Sequence, residues 1–242
     1  MKTALVTGAK QGIGRATAVA LAKDGYSVAI NYRSDEAAAS SVLTECNNYS
    51  DGNMLVKADL TNSADIEAMF KEIKVSFMSL DVLVNNAGTF SEKDSPTNLE
   101  VFEEIYRSNL MSCIETTKHA LEMMETGSIV NISSIHGRIG HGGPYATAYS
   151  AFKAAMDSYT KNLAKDVAPK ILVNAIAPGR VHTPMWGVED ETEKTELGKV
   201  HAIERMIEPE EIADAVIFLV KNRAVCGEVL TVDGGMSLVT LG

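Results

Sequence analysis

Short apolar runs alternate with longer amphipathic stretches from one end of the chain to the other. Residues 3–7, 27–32, 54–59, 81–85, 128–132, 171–176 and 228–232 are compact runs dominated by Val, Ile, Leu and Ala, the signature of buried strands. Between them, residues 12–24, 34–47, 63–77, 99–124, 147–167 and 209–220 carry apolar positions at helical spacing. Ile66, Met69, Phe70 and Ile73, for example, fall on one helix face. Gly25 closes the first helix, Ser34-Asp35-Glu36 opens the second, and Pro209 opens the last. The stretch 99–124 reads as one long helix. Strands that alternate with helices predict an α/β fold, a mainly parallel sheet covered on both faces. No Pro/Ser-rich linker, repeat or low-complexity tract interrupts the pattern, so a single domain over 1–242 is expected. The long charged stretch 180–208 has no clear period and is read as a loop, with a substrate lid near 183–205.

Composition narrows the function. A net charge of −10 disfavours a nucleic-acid partner, which requires a basic face. Cys46, Cys113 and Cys226 are too few and too far apart for a disulfide framework or a zinc site, which suits a reducing, cytoplasmic setting. The chain enters its first strand at Thr3, so no signal peptide is expected. No apolar run approaches the ~20 residues of a membrane span. The histidines, at 119, 136, 141, 182 and 201, lack metal-ligand spacing, and no metal site is expected. His136, His141 and His182 are placed either on surface loops or along a cleft.

Two motifs carry chemistry. Gly8-x-x-x-Gly12-Ile13-Gly14 lies between the first strand and the first helix. Glycines there let the backbone turn tightly and approach a pyrophosphate at the helix N-terminus. The spacing is not that of a phosphate loop ending in Gly-Lys-Ser/Thr. Further on, Tyr149 and Lys153 stand four apart on one helix, so both project from the same face. A cation beside a phenol favours the phenolate. At ~4 Å and an effective dielectric of ~20 the pair is worth up to ~4 kcal/mol before desolvation. That would bring a Tyr toward the range of a working general acid/base.

Thr7-Gly8-x-x-x-Gly12-Ile13-Gly14, Asn85-Asn86-Ala87-Gly88, Asn109, Ser134, Tyr149-x-x-x-Lys153 and Pro178-Gly179 together resemble the short-chain dehydrogenase/reductase family. The resemblance runs through Val232-Asp233-Gly234-Gly235 and so covers nearly the whole chain. It implies a doubly wound, Rossmann-like sheet of seven strands, in subunits that pair as dimers or tetramers. It implies a catalytic group of Asn109, Ser134, Tyr149 and Lys153. Tyr149 would exchange a proton with the substrate oxygen, and Ser134 would polarise that oxygen. Lys153 would lower the phenol pKa and bind the nicotinamide ribose, and Asn109 would hold a water linked to Lys153. Gly8, Lys10, Gln11, Gly12, Ile13 and Gly14 would meet the pyrophosphate end of the cofactor, and Asp59 and Leu60 its adenine. Asn85, Ala87, Gly88, Pro178, Gly179, Val181 and Thr183 would line its groove. The segment from Ser134 to Tyr149 is about two residues longer than is usual in the family, which leaves Ser133 as an alternative carrier of the hydroxyl.

Charge argues the cofactor. The second strand ends Asn31-Tyr32-Arg33-Ser34, with Tyr32 where NAD-selective members carry Asp and Arg33 where NADP-selective members carry Arg. An Arg fork suits a 2′-phosphate, so NADP(H) is favoured over NAD(H). The expected reaction is hydride transfer between NADP(H) and a carbonyl or secondary alcohol, most like the 3-oxoacyl-(acyl-carrier-protein) reductase type. The strand-end sequence also resembles sugar dehydrogenases of the family. A non-catalytic cofactor sensor is the remaining alternative, disfavoured because Tyr149 and Lys153 are both present. Acyl carrier protein docks on basic residues in family members that use it. Here the corresponding segments read Glu122-Met123-Met124-Glu125 and Ala168-Pro169-Lys170, and the lid adds Glu189-Asp190-Glu191-x-Glu193. Like charges oppose such docking, so small uncharged ketones are favoured over carrier-protein thioesters. Met185 and Trp186 either cover the substrate or anchor the lid.

Overall fold

The computed structural model describes residues 2–138, 146–187 and 190–238. Its strands are β1 (Lys2–Val6), β2 (Tyr26–Tyr32), β3 (Met54–Lys57), β4 (Val82–Asn85), β5 (Gly127–Ile132), β6 (Ile171–Pro178) and β7 (Val229–Val232). Its helices are α1 (Gly12–Lys23), α2 (Glu36–Cys46), α3 (Ser63–Ser76), α4 (Leu99–Ile105), α5 (Ser112–Leu121), α6 (Thr147–Val167), α7 (Glu191–Gly198) and α8 (Pro209–Lys221). All seven strands join one sheet in the order β3-β2-β1-β4-β5-β6-β7, and every pairing is parallel. The doubly wound α/β architecture read from the sequence is therefore observed.

Side-chain alternation explains why both faces are covered. Successive strand residues point to opposite faces. Ala4, Val6, Val28, Ile30, Val82, Val84, Val130 and Ile132 pack into one core with residues of α1, α2 and α8. Their neighbours Leu5, Ala29, Leu83 and Ile129 pack into the other with α3, α5 and α6. The strand order reverses at β1 and β4, where chain crossovers leave opposite faces. In such sheets a crevice opens at that point, outside the carboxyl ends of the strands.

Two elements differ from the sequence reading. The stretch read as one helix from 99 to 124 is broken. A π-helical segment, Tyr106–Met111, separates α4 from α5, and α5 ends at Leu121. Side chains cause the break. The Asn109 amide donates to the Ile105 carbonyl at 3.2 Å, the acceptor that an α-helix would give to its own backbone N–H. Ser108 Oγ donates to Glu104 O at 2.8 Å. Such local bonds compete with the helix ladder and widen it. The stretch 180–208, read as a loop, also holds a helix the sequence reading missed, α7. Its residues Glu-Thr-Glu-Lys-Thr-Glu-Leu-Gly offer almost no apolar face, and the start is fixed by Asp190 accepting from Thr192 N at 2.7 Å. A capped polar helix leaves no hydrophobic period to detect.

A buried polar chain ties the sheet to the site-bearing helices. Asn85 donates to Thr117 Oγ1 at 3.0 Å and to Asn131 Oδ1 at 2.9 Å. Asn131 donates to Thr160 Oγ1 at 2.9 Å. The chain thus links β4, β5, α5 and α6 in a region where Asn131 and Thr160 are fully enclosed. Asn131→Ala removes one hydrogen bond from the Asn85 amide, which keeps Thr117, and one from Thr160 Oγ1, which keeps Met156 O; each lost bond is worth about 0.5–1.5 kcal/mol, and the missing side chain leaves a small cavity. We expect a loss of roughly 2–4 kcal/mol in urea unfolding, and a loss below ~0.5 kcal/mol would show that the chain is dispensable.

Candidate active site

A cavity of about 760 Å³ opens along the carboxyl ends of the strands. Each strand turn contributes a wall. Gly8, Lys10, Gln11, Gly12 and Ile13 follow β1, and Tyr32 and Arg33 end β2. Ala58, Asp59, Leu60 and Thr61 follow β3, and Asn86, Ala87 and Gly88 follow β4. Ser133, Ser134 and His136 follow β5, and Pro178, Gly179, Arg180, Val181 and Thr183 span the exit from β6. Asn109, Tyr149 and Lys153 complete it from the π segment and α6. The sequence-derived site residues are thus brought together, with two exceptions. Gly14 packs behind the cavity, where a Cβ would stand 2.5 Å from both Asn86 Nδ2 and Gly8 O. Asn85 does not line the groove either; its amide belongs to the buried polar chain, and Asn86 takes the groove position.

The turn after β1 has the shape of an anion cradle. Gly8 and Gly12 have φ of 60° and 57°, in the left-handed region that glycine tolerates best. Gly8 N donates to Asn31 Oδ1 at 3.1 Å, and Thr7 Oγ1 accepts from the amides of Asn86 and Ala87 at 2.9 and 3.0 Å. Thr7 and Asn31 therefore set the turn; Asn31, a buried polar residue near the end of β2, was the signal the sequence reading passed over. The start of α1 carries no side-chain cap and no acidic residue in its first turn. Its free N–H groups and dipole suit a pyrophosphate. The cavity's size and this uncapped helix start fit a nicotinamide dinucleotide.

The reacting end is built on α6. Asp94, fully buried, accepts from the backbone amides of Ala148 and Tyr149 at 3.0 and 3.1 Å and so caps the start of that helix. The sequence reading had no reason to single out Asp94, since the capping partner lies 54 residues away. Lys153 Nζ donates to Ile132 O at 2.8 Å and sits over the Tyr149 ring, 5.5 Å from its centre. Asn109 Oδ1 is enclosed and has no partner within the described protein. A Cβ on Gly88 would stand 2.5 Å from that oxygen and 3.7 Å from Lys153 Nζ, so Gly88 leaves the two groups room to approach.

The two serines separate clearly. Ser133 Oγ donates to Asp157 Oδ1, a carboxylate that does not line the cavity, whereas Ser134 Oγ accepts from His136 N at 3.2 Å and lies beside the Tyr149 hydroxyl. Protonation corrects one expectation. The Tyr149 phenol is not lowered. Burial pushes it above its ordinary value, opposed by the Ser134 hydrogen bond. The ammonium faces the ring and the Ile132 carbonyl, so its attraction is not concentrated on the phenolic oxygen. Burial also pulls Lys153 down to about 8, against the opposing pull of Cys113 and Asp157.

The histidines divide in the same way. His136 lines the cavity, with its ring 6.1 Å from that of Tyr149. His182 instead meets Glu208 at 3.4 Å, His119 stacks on Phe70, and His201 is buried beneath Arg180. His141 lies outside the described residues. Met185 and Trp186 both line the cavity. Among the described residues there is no group of His, Cys, Asp or Glu that could hold a metal. Nor is any helix there long and apolar enough to cross a membrane.

Known proteins share this pattern. A family model described as enoyl-(acyl carrier protein) reductase matches residues 8–237. The chain is 34% identical to 3-oxoacyl-[acyl-carrier-protein] reductase FabG of Staphylococcus aureus, over 97% of this chain and 98% of that one. It is 37% identical to carbonyl reductase family member 4 of Xenopus laevis, over 98% of each. The crystal structure of angucycline C-6 ketoreductase LanV with bound NADP superposes with a TM-score of 0.89 at 29% identity, covering 98% of this chain and 96% of that one.

The buried ammonium has a measurable signature. Because the folded-state pKa of Lys153 is depressed, unfolding takes up a proton between pH 8 and 10.5, and the folded state gains stability as pH rises through that window. Lys153→Met lacks this group. Burial pushes the Cys46 and Cys113 thiols up to about 12, which acts the opposite way in both proteins and largely cancels in their difference. The stability of wild type relative to Lys153→Met is expected to rise by on the order of 2–3 kcal/mol from pH 7 to pH 10. A pH-independent difference would contradict a strongly desolvated ammonium.

Proposed function

This chain belongs to the short-chain dehydrogenase/reductase family, and we propose that it is an NADP(H)-dependent oxidoreductase that interconverts a ketone and a secondary alcohol through Tyr149, Ser134, Lys153 and Asn109. The observation that carries this reading is the convergence of the four side chains on one cavity beside the uncapped start of α1. A bound nicotinamide dinucleotide supplies the hydride in one direction and accepts it in the other. Ser134 Oγ donates a hydrogen bond to the carbonyl oxygen and draws electron density from the carbon. Tyr149 transfers its phenolic proton to that oxygen as the carbon is reduced, leaving a phenolate beside the Lys153 ammonium. The alcohol leaves, and the phenolate is reprotonated from the side of Lys153 and Asn109, whose unpartnered Oδ1 is placed to hold a water. In the oxidising direction the same steps run backwards.

The raised phenol pKa suits the reductive direction. A neutral Tyr149 is the state that can donate a proton. The phenolate it becomes is then stabilised by the nearby ammonium.

The 2′-phosphate preference rests on Arg33. It is exposed at the cavity wall and makes no ion pair among the described residues, while no carboxylate ends β2. Lys10 Nζ approaches Asp35 at 3.8 Å and adds a second, partly neutralised charge. Asp59 stays ionised for the adenine side. Burial alone would raise its carboxyl, but two hydrogen bonds from Thr61 and the Arg33 charge hold it below the usual range. The same reading includes a cytoplasmic setting and an assembly of identical subunits. The half-buried aromatics Phe102, Tyr106 and Phe152 on α4, the π segment and α6 are the surface such an assembly would cover.

Tyr149→Phe removes only the proton donor. Ketone reduction is expected to fall at least ~100-fold while NADPH still binds, as measured by fluorescence titration. Wild-type turnover in the Phe variant would sink the assignment. Arg33→Asp deletes a phosphate partner and adds a repulsive carboxylate. The ratio of kcat/KM for NADPH over NADH is expected to drop by at least ~10-fold, and an unchanged ratio would mean that Arg33 does not meet the 2′-phosphate.

A further inference from the structure

Beyond Tyr149, one cavity wall carries a cation that neither the proton transfer nor cofactor binding uses. Arg180 directly follows Pro178-Gly179 and lines the cavity together with His136, Met185 and Trp186. Its backbone is held in place on both sides. Its N–H donates to Nε2 of buried His201 at 3.0 Å, and its carbonyl accepts from Ile207 N at 3.0 Å. The neighbouring Val181 pairs with Ile207 in a parallel bridge. The guanidinium lies over the Trp186 ring, 5.4 Å from its centre, and reaches the Leu197 carbonyl at 3.4 Å.

Among the described residues this guanidinium has no acid beside it. No carboxylate among the described residues lies within ion-pair distance of it. Burial lowers its pKa, with no nearby carboxylate raising it. Glu92 also lines the cavity, but it is exposed. Half-buried Arg is normally paired, because an unpaired charge away from water is costly. His136 adds no second positive charge. Burial and the Arg180 charge hold it below its ordinary value, so it is neutral at pH 7. One planar, monovalent fork therefore faces the substrate end of the cavity. That is the complement of a single carboxylate, which it can bind through two parallel hydrogen bonds.

We propose that Arg180 determines substrate choice by binding the carboxylate of a keto acid, whose carbonyl oxygen then lies at Tyr149 and Ser134. The inference rests on the reductase reading above. The step is balanced: the carbonyl carbon gains a hydride from the reduced nicotinamide, its oxygen gains the Tyr149 proton, and a hydroxy acid leaves. The uncharged ketones favoured on sequence grounds become the poorer substrates, because they leave the guanidinium without a partner.

The test compares α-, β- and γ-keto acids with their methyl esters, using NADPH and the full-length protein. At least one acid is expected to exceed its own ester by about tenfold or more in kcat/KM, the scale of a charge-assisted hydrogen bond. Arg180→Leu should bring that ratio toward one, and Arg180→Lys should restore part of it. A second readout needs no turnover. Trp186 is the sole tryptophan, so its fluorescence reports on Arg180 directly. With oxidised cofactor present, the keto acid cannot react, and a saturable change is expected in wild type but not in Arg180→Leu. Esters that match the acids in wild type, or an acid preference that survives in Arg180→Leu, would overturn the inference. If no ketone of either kind is reduced, the reductase reading fails, and the Trp186 titration still decides whether Arg180 binds a carboxylate.

Discussion

The constraint on which the site depends is a desolvated ammonium. Lys153 projects from α6 into the protein and is 3% exposed, which by itself is costly. The surrounding chain supplies what keeps it there. Ile132 offers its carbonyl as β5 ends. Gly137 packs on the Lys153 backbone, where a Cβ would stand 2.7 Å from both Lys153 C and Ala154 N. Gly88 and the π-helical turn at Asn109 bring a further oxygen toward the charge. Asp94 fixes where α6 begins, and the Asn131–Thr160 bond holds its middle to the sheet. Phenol, serine and cavity wall are positioned relative to a helix that these contacts hold in place.

Electrostatics give the cavity a direction. The chain as a whole is acidic, yet Lys10, Arg33, Lys153 and Arg180 all line this one crevice. Arg33 and Asp59 mark the end where β2 and β3 finish, and Arg180 marks the end where β6 finishes. Lys153 lies between them. On the proposed reading, an anionic cofactor and a carboxylate substrate would bind at opposite ends, with the reacting groups in the middle. Such a concentration of positive charge in a negatively charged protein focuses the field on the cleft.

Much of this was legible in the sequence, for physical reasons. Strand periodicity survives burial on both faces, so the sheet and most of its helices could be placed to within a residue or two, while the break after Ile105 and the polar helix α7 could not. The Gly-rich turn and the Tyr149/Lys153 pair are local patterns, readable because their geometry is fixed by a turn and by i,i+4 spacing. What stayed hidden depends on contacts between distant parts of the chain. Asn85 was read as lining the cofactor groove but bonds to Asn131 and Thr117 within the core. Asp94 caps a helix far along the chain. The break at Asn109 arises from a side chain that competes with its own helix. Arg180 looked like the start of a charged loop, and only the fold shows it lining the cavity with no acid within ion-pair distance among the described residues. The direction of the Tyr149 shift was hidden too, since burial outweighs a cation that faces the ring.

The most direct measurement of the central claim follows the hydrogen itself. NADPH carrying deuterium at both nicotinamide C4 positions is incubated with the protein and a ketone in ordinary water, and the product is examined by mass spectrometry and NMR. Direct transfer in this cavity predicts deuterium on the carbinol carbon, none of it exchanged with solvent, and a product hydroxyl that takes its proton from the water-equilibrated Tyr149. Product without deuterium at that carbon, or no product with any ketone under conditions where NADPH binds, would contradict the account.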